Sequence, residues 1–138
     1  MIAYLDASVL LRVVFGEPGR LSEWSSIRVG VTSRLARIEC LRTIDRMRLR
    51  SGLDDAEVAQ RTEAVFEIFD HVKLITLSNA ILERAAQPFS TTLGTLDALH
   101  LASALMWQKS SEEDLIFATH DIELGRAARA SELTVLGC

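Results

Sequence analysis

The sequence predicts one α/β domain built on a mainly parallel sheet, five strands with helices on both faces. Three features of the 138 residues predict this. Short apolar β-type runs alternate with helix-type periodicity along the whole chain. Those runs are nearly continuous in apolar character, as expected for strands covered on both faces. Acidic residues stand where two of the runs end, and in open parallel sheets ligands gather beyond the carboxyl ends of strands.

The elements follow in order. IAYL (2–5) is read as the first strand and ASVLLRVVF (7–15) as the helix after it. VGVTS (29–33) is the second strand, rich in β-branched residues. RLARIECLRTIDRMRLR (34–50) has helical spacing and stops at Ser51-Gly52. Asp54 or Asp55 is placed to cap the next helix, DAEVAQRTEAVFEIFD (55–70). Its apolar stripe of Val58, Val65, Phe66 and Phe69 calls for a covering partner, either a second copy or another protein. VKLITL (72–77) is the third strand, and NAILERAAQ (79–87) follows Ser78 as a helix. TLDALHLASALMWQ (95–108), DLIFAT (114–119), IELGRAARA (122–130) and LTVLG (133–137) complete the helix–strand–helix–strand series.

Composition bounds the function classes. An apolar fraction of 49% with 25% charged residues is that of an ordinary globular protein, not a disordered or fibrous chain. Only Pro18 and Pro88 occur and no repeat is visible, so residues 1–138 are expected to form one domain without a linker. No run approaches the roughly 18 apolar residues of a membrane span. The first residues lack a basic segment, and Asp6 interrupts the first apolar stretch, which argues against a signal peptide. Cys40 and Cys138 have no metal-finger spacing and read as free thiols of a reducing, cytoplasmic protein.

The net charge is −4, yet six of the 13 arginines lie between positions 34 and 50 (Arg34, Arg37, Arg42, Arg46, Arg48, Arg50), against only Glu39 and Asp45. A locally basic helix on an acidic protein is compatible with phosphate binding, and equally with a solvated helix face.

Four acids in four separate segments sit against apolar sequence: Asp6 after the first strand, Glu39 between Ile38 and Cys40, Asp97 in a first helical turn, and Asp121 after the fourth strand. Taken singly, Asp6 and Asp121 can be helix caps, Asp97 a favourable charge at a helix start, and Glu39 a surface ion-pair partner. Taken together they imply more. At an effective dielectric near 20, two carboxylates about 5 Å apart repel by roughly 3 kcal/mol, so six such pairs approach about 18 kcal/mol. That exceeds the whole net stability of a typical domain, about 5–15 kcal/mol. If the four converge, they must take up protons or hold a cation. Hard oxygen donors favour Mg²⁺ or Mn²⁺. His71, His100 and His120 show no ligand spacing, and His100 is expected to pack or hydrogen-bond on its own helix.

The segments YLDASVLL, RLARIECLR, LGTLDALHLASAL and FATHDIELGRAARASEL resemble the conserved blocks of PIN-domain ribonucleases, and more narrowly of VapC-type toxins from bacterial and archaeal toxin–antitoxin pairs. The likeness runs through nearly the full chain in matching order. It implies that Asp6, Glu39, Asp97 and Asp121 are catalytic metal-site acids binding Mg²⁺ or Mn²⁺, with Asp6 and Asp97 the nearest ligands. It further implies that Ser8 and Thr119 support the site, and that the substrate is single-stranded or looped RNA, often transfer RNA or ribosomal RNA. A homodimer and a cognate antitoxin that blocks the site are also implied. Many such proteins carry a basic residue where this chain has Gly94, so another arginine, Arg42 or Arg46, would have to serve.

Other readings fail on particular positions. A haloacid-dehalogenase-type phosphatase resembles D-x-D after strand one, but position 8 is serine. A response-regulator receiver needs an acid after strand three, where Ser78 and Asn79 stand. A Rossmann nucleotide binder needs a glycine-rich loop after strand one, and none is present. The remaining rival is a catalytically silent PIN-fold module that binds RNA or antitoxin without cutting.

Overall fold

The computed structural model describes residues 1–138. Five strands, β1 (Ile2–Leu5), β2 (Val29–Ser33), β3 (Lys73–Ile75), β4 (Ile116–Ala118) and β5 (Thr134–Leu136), form one sheet in the order β3-β2-β1-β4-β5. Every neighbouring pair is parallel. Six helices accompany them: α1 (Ala7–Val14), α2 (Arg34–Ser51), α3 (Asp55–His71), α4 (Asn79–Ala86), α5 (Thr95–Ser111) and α6 (Ile122–Ala130). No helix is long and apolar enough to cross a membrane.

The sheet grows outward from β1. The chain first builds β2 and β3 on one side, then crosses over to add β4 and β5 on the other. The order therefore reverses between β1 and β4, and the crevice beyond their carboxyl ends is where such folds bind ligands. Asp6 directly follows β1, and Thr119 to Asp121 follow β4, so the topology delivers both acids to that crevice.

Side-chain alternation in β1 divides the core. Ala3 and Leu5 face one layer, with Val9, Leu10, Cys40, Ile44, Val65 and Phe69 of α1, α2 and α3. Tyr4 faces the other, with Leu101, Ala104, Leu124 and Ala128 of α5 and α6. Ala3, Tyr4 and Leu5 are at most 1% exposed, which accounts for the continuous apolar character of IAYL. The edge strands β3 and β5 are shorter than their apolar runs, and their residues are only half buried or exposed, because each pairs on one side alone.

Local signals explain the helix ends. Asp54, not Asp55, caps α3: its side chain accepts the Glu57 N–H at 2.8 Å, and the Glu57 carboxylate accepts the Asp54 N–H at 3.0 Å. Gly52 ends α2 at φ 67°, a left-handed conformation that a residue without Cβ adopts freely.

The stripe of α3 needs no outside partner, contrary to the sequence expectation. Val65 and Phe69 are buried in the chain's own core, and Val58 packs against it. Only Phe66 is left exposed, with the Arg37 guanidinium 5.1 Å above its ring. The helix stripe was legible; that α1 and α2 would cover it was not.

Candidate active site

Asp6 is the best-anchored of the four acids and is 5% exposed. Its Oδ2 accepts three hydrogen bonds: from the Ser8 N–H at 3.2 Å, the Ser8 hydroxyl at 2.5 Å and the Thr119 hydroxyl at 3.0 Å. The first of these is an N-cap bond, so Asp6 does cap α1. Both hydroxyls accept in turn, Ser8 Oγ from the His120 N–H at 2.9 Å and Thr119 Oγ1 from the Asp121 N–H at 3.0 Å. Ser8 and Thr119 thereby tie the turn after β4 to the start of α1. Asp121 caps α6, its Oδ1 accepting the Leu124 N–H at 2.9 Å.

The cap reading and the cluster reading hold together. Asp6, Ser8, Glu39, Asp97 and Asp121 line a single open cavity of about 410 Å³. Asp97 lies half buried in the first turn of α5. Its carboxyl is held above the ordinary carboxylate range, first by burial and then by the negative charges of Asp121, Asp6 and Glu39, with His100 opposing. Asp97 thus feels the three other acids that line the same cavity. No group of three or more His, Cys, Asp or Glu side chains stands in finished metal-coordinating geometry. Mutual repulsion is the physical reason that four like charges would not close up by themselves.

The donor set nonetheless fits a hard divalent cation. All four acids offer carboxylate oxygens at one cavity, Asp6 keeps Oδ1 free of hydrogen bonds, and Asp97 carries repulsion, only partly offset by His100, that a cation would relieve.

One residue escaped the sequence reading. His100 does not bond along its own helix; fully buried, it reaches across the core. Its Nε2 lies 2.5 Å from Glu39 Oε2 and 3.8 Å from Asp6 Oδ1, and its Nδ1 lies 2.8 Å from the Tyr4 hydroxyl. Burial disfavours its charge, but the Glu39 hydrogen bond and the nearby Asp6, Glu39 and Asp97 charges raise its pKa on balance. The available signal was its spacing, three residues beyond Asp97 and thus on the same helix face.

The cavity wall is basic on one side. Arg42, Thr43 and Arg46 follow Glu39 at three, four and seven residues and line the same space. A Cβ built on Gly94 lies 4.0 Å from Asp97 Oδ2, so a longer side chain there would reach the acids; in this chain the basic groups at the cavity come from α2 instead. Ile38, Leu96 and Ile122 are exposed apolar residues, each adjacent in sequence to one of the acids.

The PIN domain family model matches residues 3–130. The chain is 28% identical over 128 residues to Ribonuclease VapC47 of Mycobacterium tuberculosis (strain CDC 1551 / Oshkosh), covering 88% of this chain and 85% of that protein. Two solved structures share the fold. The VapBC2 structure from Rickettsia felis, bound to a DNA fragment from its promoter, superposes with TM-score 0.69 at 12% identity, covering 98% of this chain and 97% of that one. A toxin–antitoxin complex from Klebsiella pneumoniae gives 0.67 at 14% identity, covering 94% of each chain. With the family model spanning nearly all of the chain, and with the five-stranded parallel sheet in place, the protein belongs to the PIN domain family.

Proposed function

We propose that this protein is a VapC-type toxin, a divalent-metal-dependent endoribonuclease that hydrolyses phosphodiester bonds in single-stranded or looped RNA. The observation that carries the reading is the meeting of Asp6, Glu39, Asp97 and Asp121 at one cavity with Arg42 and Arg46 on its wall. The named relative, a ribonuclease, supports the same activity.

Asp6 and Asp97 would hold Mg²⁺ or Mn²⁺ most directly, with Glu39 and Asp121 completing the site. A cation bound there supplies Lewis acidity to the phosphoryl group and acidifies an attacking water. The chain's own residues do the rest. Ser8 and Thr119 fix the Asp6 carboxylate, and Arg42 and Arg46 offer cationic groups to the RNA backbone. Transfer RNA and ribosomal RNA loops are the substrate class proposed.

The partner is a cognate antitoxin. Exposed Ile38, Leu96 and Ile122 beside acidic residues complement a segment that carries aliphatic side chains and a basic group. The working unit is a cytoplasmic homodimer of single-domain chains.

Purified, antitoxin-free protein incubated with transfer RNA and ribosomal RNA should cut in the presence of Mg²⁺ or Mn²⁺ and not with chelator. Asp6→Ala should abolish cutting while keeping the fold. Intact RNA with both metals would overturn the enzymatic reading. Cleavage that persists in a folded Asp6→Ala protein would assign the activity to a contaminant.

A further inference from the structure

We propose that His100 is a positioning residue for Glu39, held in place by Tyr4, so that two buried side chains set one acid of the cavity from inside the core. The inference rests on the reading of the four acids as a metal site and adds to it a residue that touches neither metal nor RNA.

The chain begins in the sheet. Tyr4 is wholly buried in β1 and stacks on Phe117 of β4, centroids 5.2 Å apart and planes 7° apart. Its hydroxyl lies 2.8 Å from the His100 Nδ1, with the Ser103 side chain and the Ser33 backbone also acting on it. The rings of Tyr4 and His100 meet edge to face, 5.9 Å apart at 72°. The imidazole is therefore fixed both by packing and by the hydroxyl. A carboxylate oxygen accepts, so in the 2.5 Å contact the imidazole serves as donor from Nε2.

Glu39 needs such a hold more than Asp6 or Asp121. Asp6 is fixed by Ser8 and Thr119, and Asp121 by its cap bond to Leu124. Glu39 projects from the interior of α2, where no cap is available, on a longer side chain with more rotamer freedom. His100 is its hydrogen-bond partner in the protein, and it engages Oε2 alone. The other carboxylate oxygen is left for the cavity that Glu39 lines. Because Nε2 also stands 3.8 Å from Asp6 Oδ1, the imidazole edge spaces two acids at once. A core histidine kept only for packing would have no reason to present its donor to an acid that has neither a cap bond nor a hydroxyl to hold it.

The test is Mn²⁺ binding by isothermal titration, with thermal unfolding to verify folding. His100→Leu keeps an apolar side chain of comparable size but removes the donor. It should raise the Mn²⁺ dissociation constant about 10- to 100-fold, the usual consequence of losing a group that orients a metal ligand. His100→Gln, whose amide can still donate to Glu39, should recover most of that loss. Tyr4→Phe, which keeps the stack on Phe117, should raise the constant by a smaller factor. In a Glu39→Gln background His100→Leu should add little, since the residue it positions is already disabled.

Wild-type affinity in both His100→Leu and Tyr4→Phe, or additive effects with Glu39→Gln, would overturn the proposal while leaving the metal site standing. If His100→Leu does not fold, Tyr4→Phe at wild-type affinity alone is sufficient to overturn it. No saturable Mn²⁺ binding by the wild-type protein would remove the metal-site reading and this inference with it.

Discussion

The Thr119 hydroxyl donates to Asp6 Oδ2 at 3.0 Å across 113 residues of sequence, and the same oxygen receives the Ser8 hydroxyl. The turn after β4 and the start of α1 are thus joined through a single carboxylate oxygen. Thr119→Val keeps the shape but strands the Asp121 N–H, and Ser8→Ala strands the His120 N–H. Each should cost about 1–3 kcal/mol in urea unfolding, with a roughly 10- to 100-fold loss of Mn²⁺ affinity. Thr119→Ser, which keeps the hydroxyl, should lose far less of both.

Asp97 supplies a stability-for-function test. Its folded pKa is raised, first by burial and then by Asp121 and Asp6, so the folded state holds its proton more tightly than the unfolded chain. The stability tied to that proton is present below the unfolded value of about 3.9 and is lost as pH rises through the raised value. At pH 7 without metal, Asp97→Asn should therefore be more stable than wild type, by up to about 1 kcal/mol after solvent screening. The advantage should shrink towards pH 3–4, and the added Mn²⁺ that stabilises wild type should do less for the variant. Scanning fluorimetry across pH, with and without Mn²⁺, checks all three.

Cys40 is wholly buried beside Glu39 in sequence, and its thiol is pushed up to about 12, chiefly by burial and then by the charges of Glu39 and Asp6. It should resist a thiol reagent at pH 8 in the native protein, whereas exposed Cys138 reacts; denaturant should reveal the second thiol. Between the unfolded value of about 8.5 and the folded value, the folded state keeps a proton that the unfolded chain releases. Stability should fall as pH rises through that window, by up to about 1.4 kcal/mol per pH unit from this group. Cys40→Ala should flatten the slope.

Arg42 and Arg46 are tested on binding separately from cutting. In an Asp6→Ala background, Arg42→Ala and Arg46→Ala should each weaken RNA binding and reduce the salt slope of log K by about 0.7–1 per lost phosphate contact. An unchanged slope in both would place the RNA path elsewhere. Arg48, paired with Asp45 at 2.9 Å and absent from the cavity wall, is the matched control.

The β1, β2 and α6 boundaries were legible because strong local signals coincide there: uninterrupted apolar runs, and the capping acid before Ile122. The third, fourth and fifth strands are shorter than the runs VKLITL, DLIFAT and LTVLG, because apolar character persists where ladder pairing stops. The α3 stripe is a true apolar stripe, covered by the chain's own α1 and α2 and not by a second chain. Periodicity tells which face is buried and not what buries it.

By itself the sequence determined the alternation of strands and helices, the caps at Asp6 and Asp121, and the four acids, because each depends on residues close together in the chain. Only the tertiary structure decided that Arg42 and Arg46 share a wall with the acids, that α1 and α2 cover α3, and that His100 turns inward between Tyr4 and Glu39. Those relations join residues 61 and 96 positions apart in the last case. They follow from how a parallel sheet brings its carboxyl ends together, and local spacing carries no record of it.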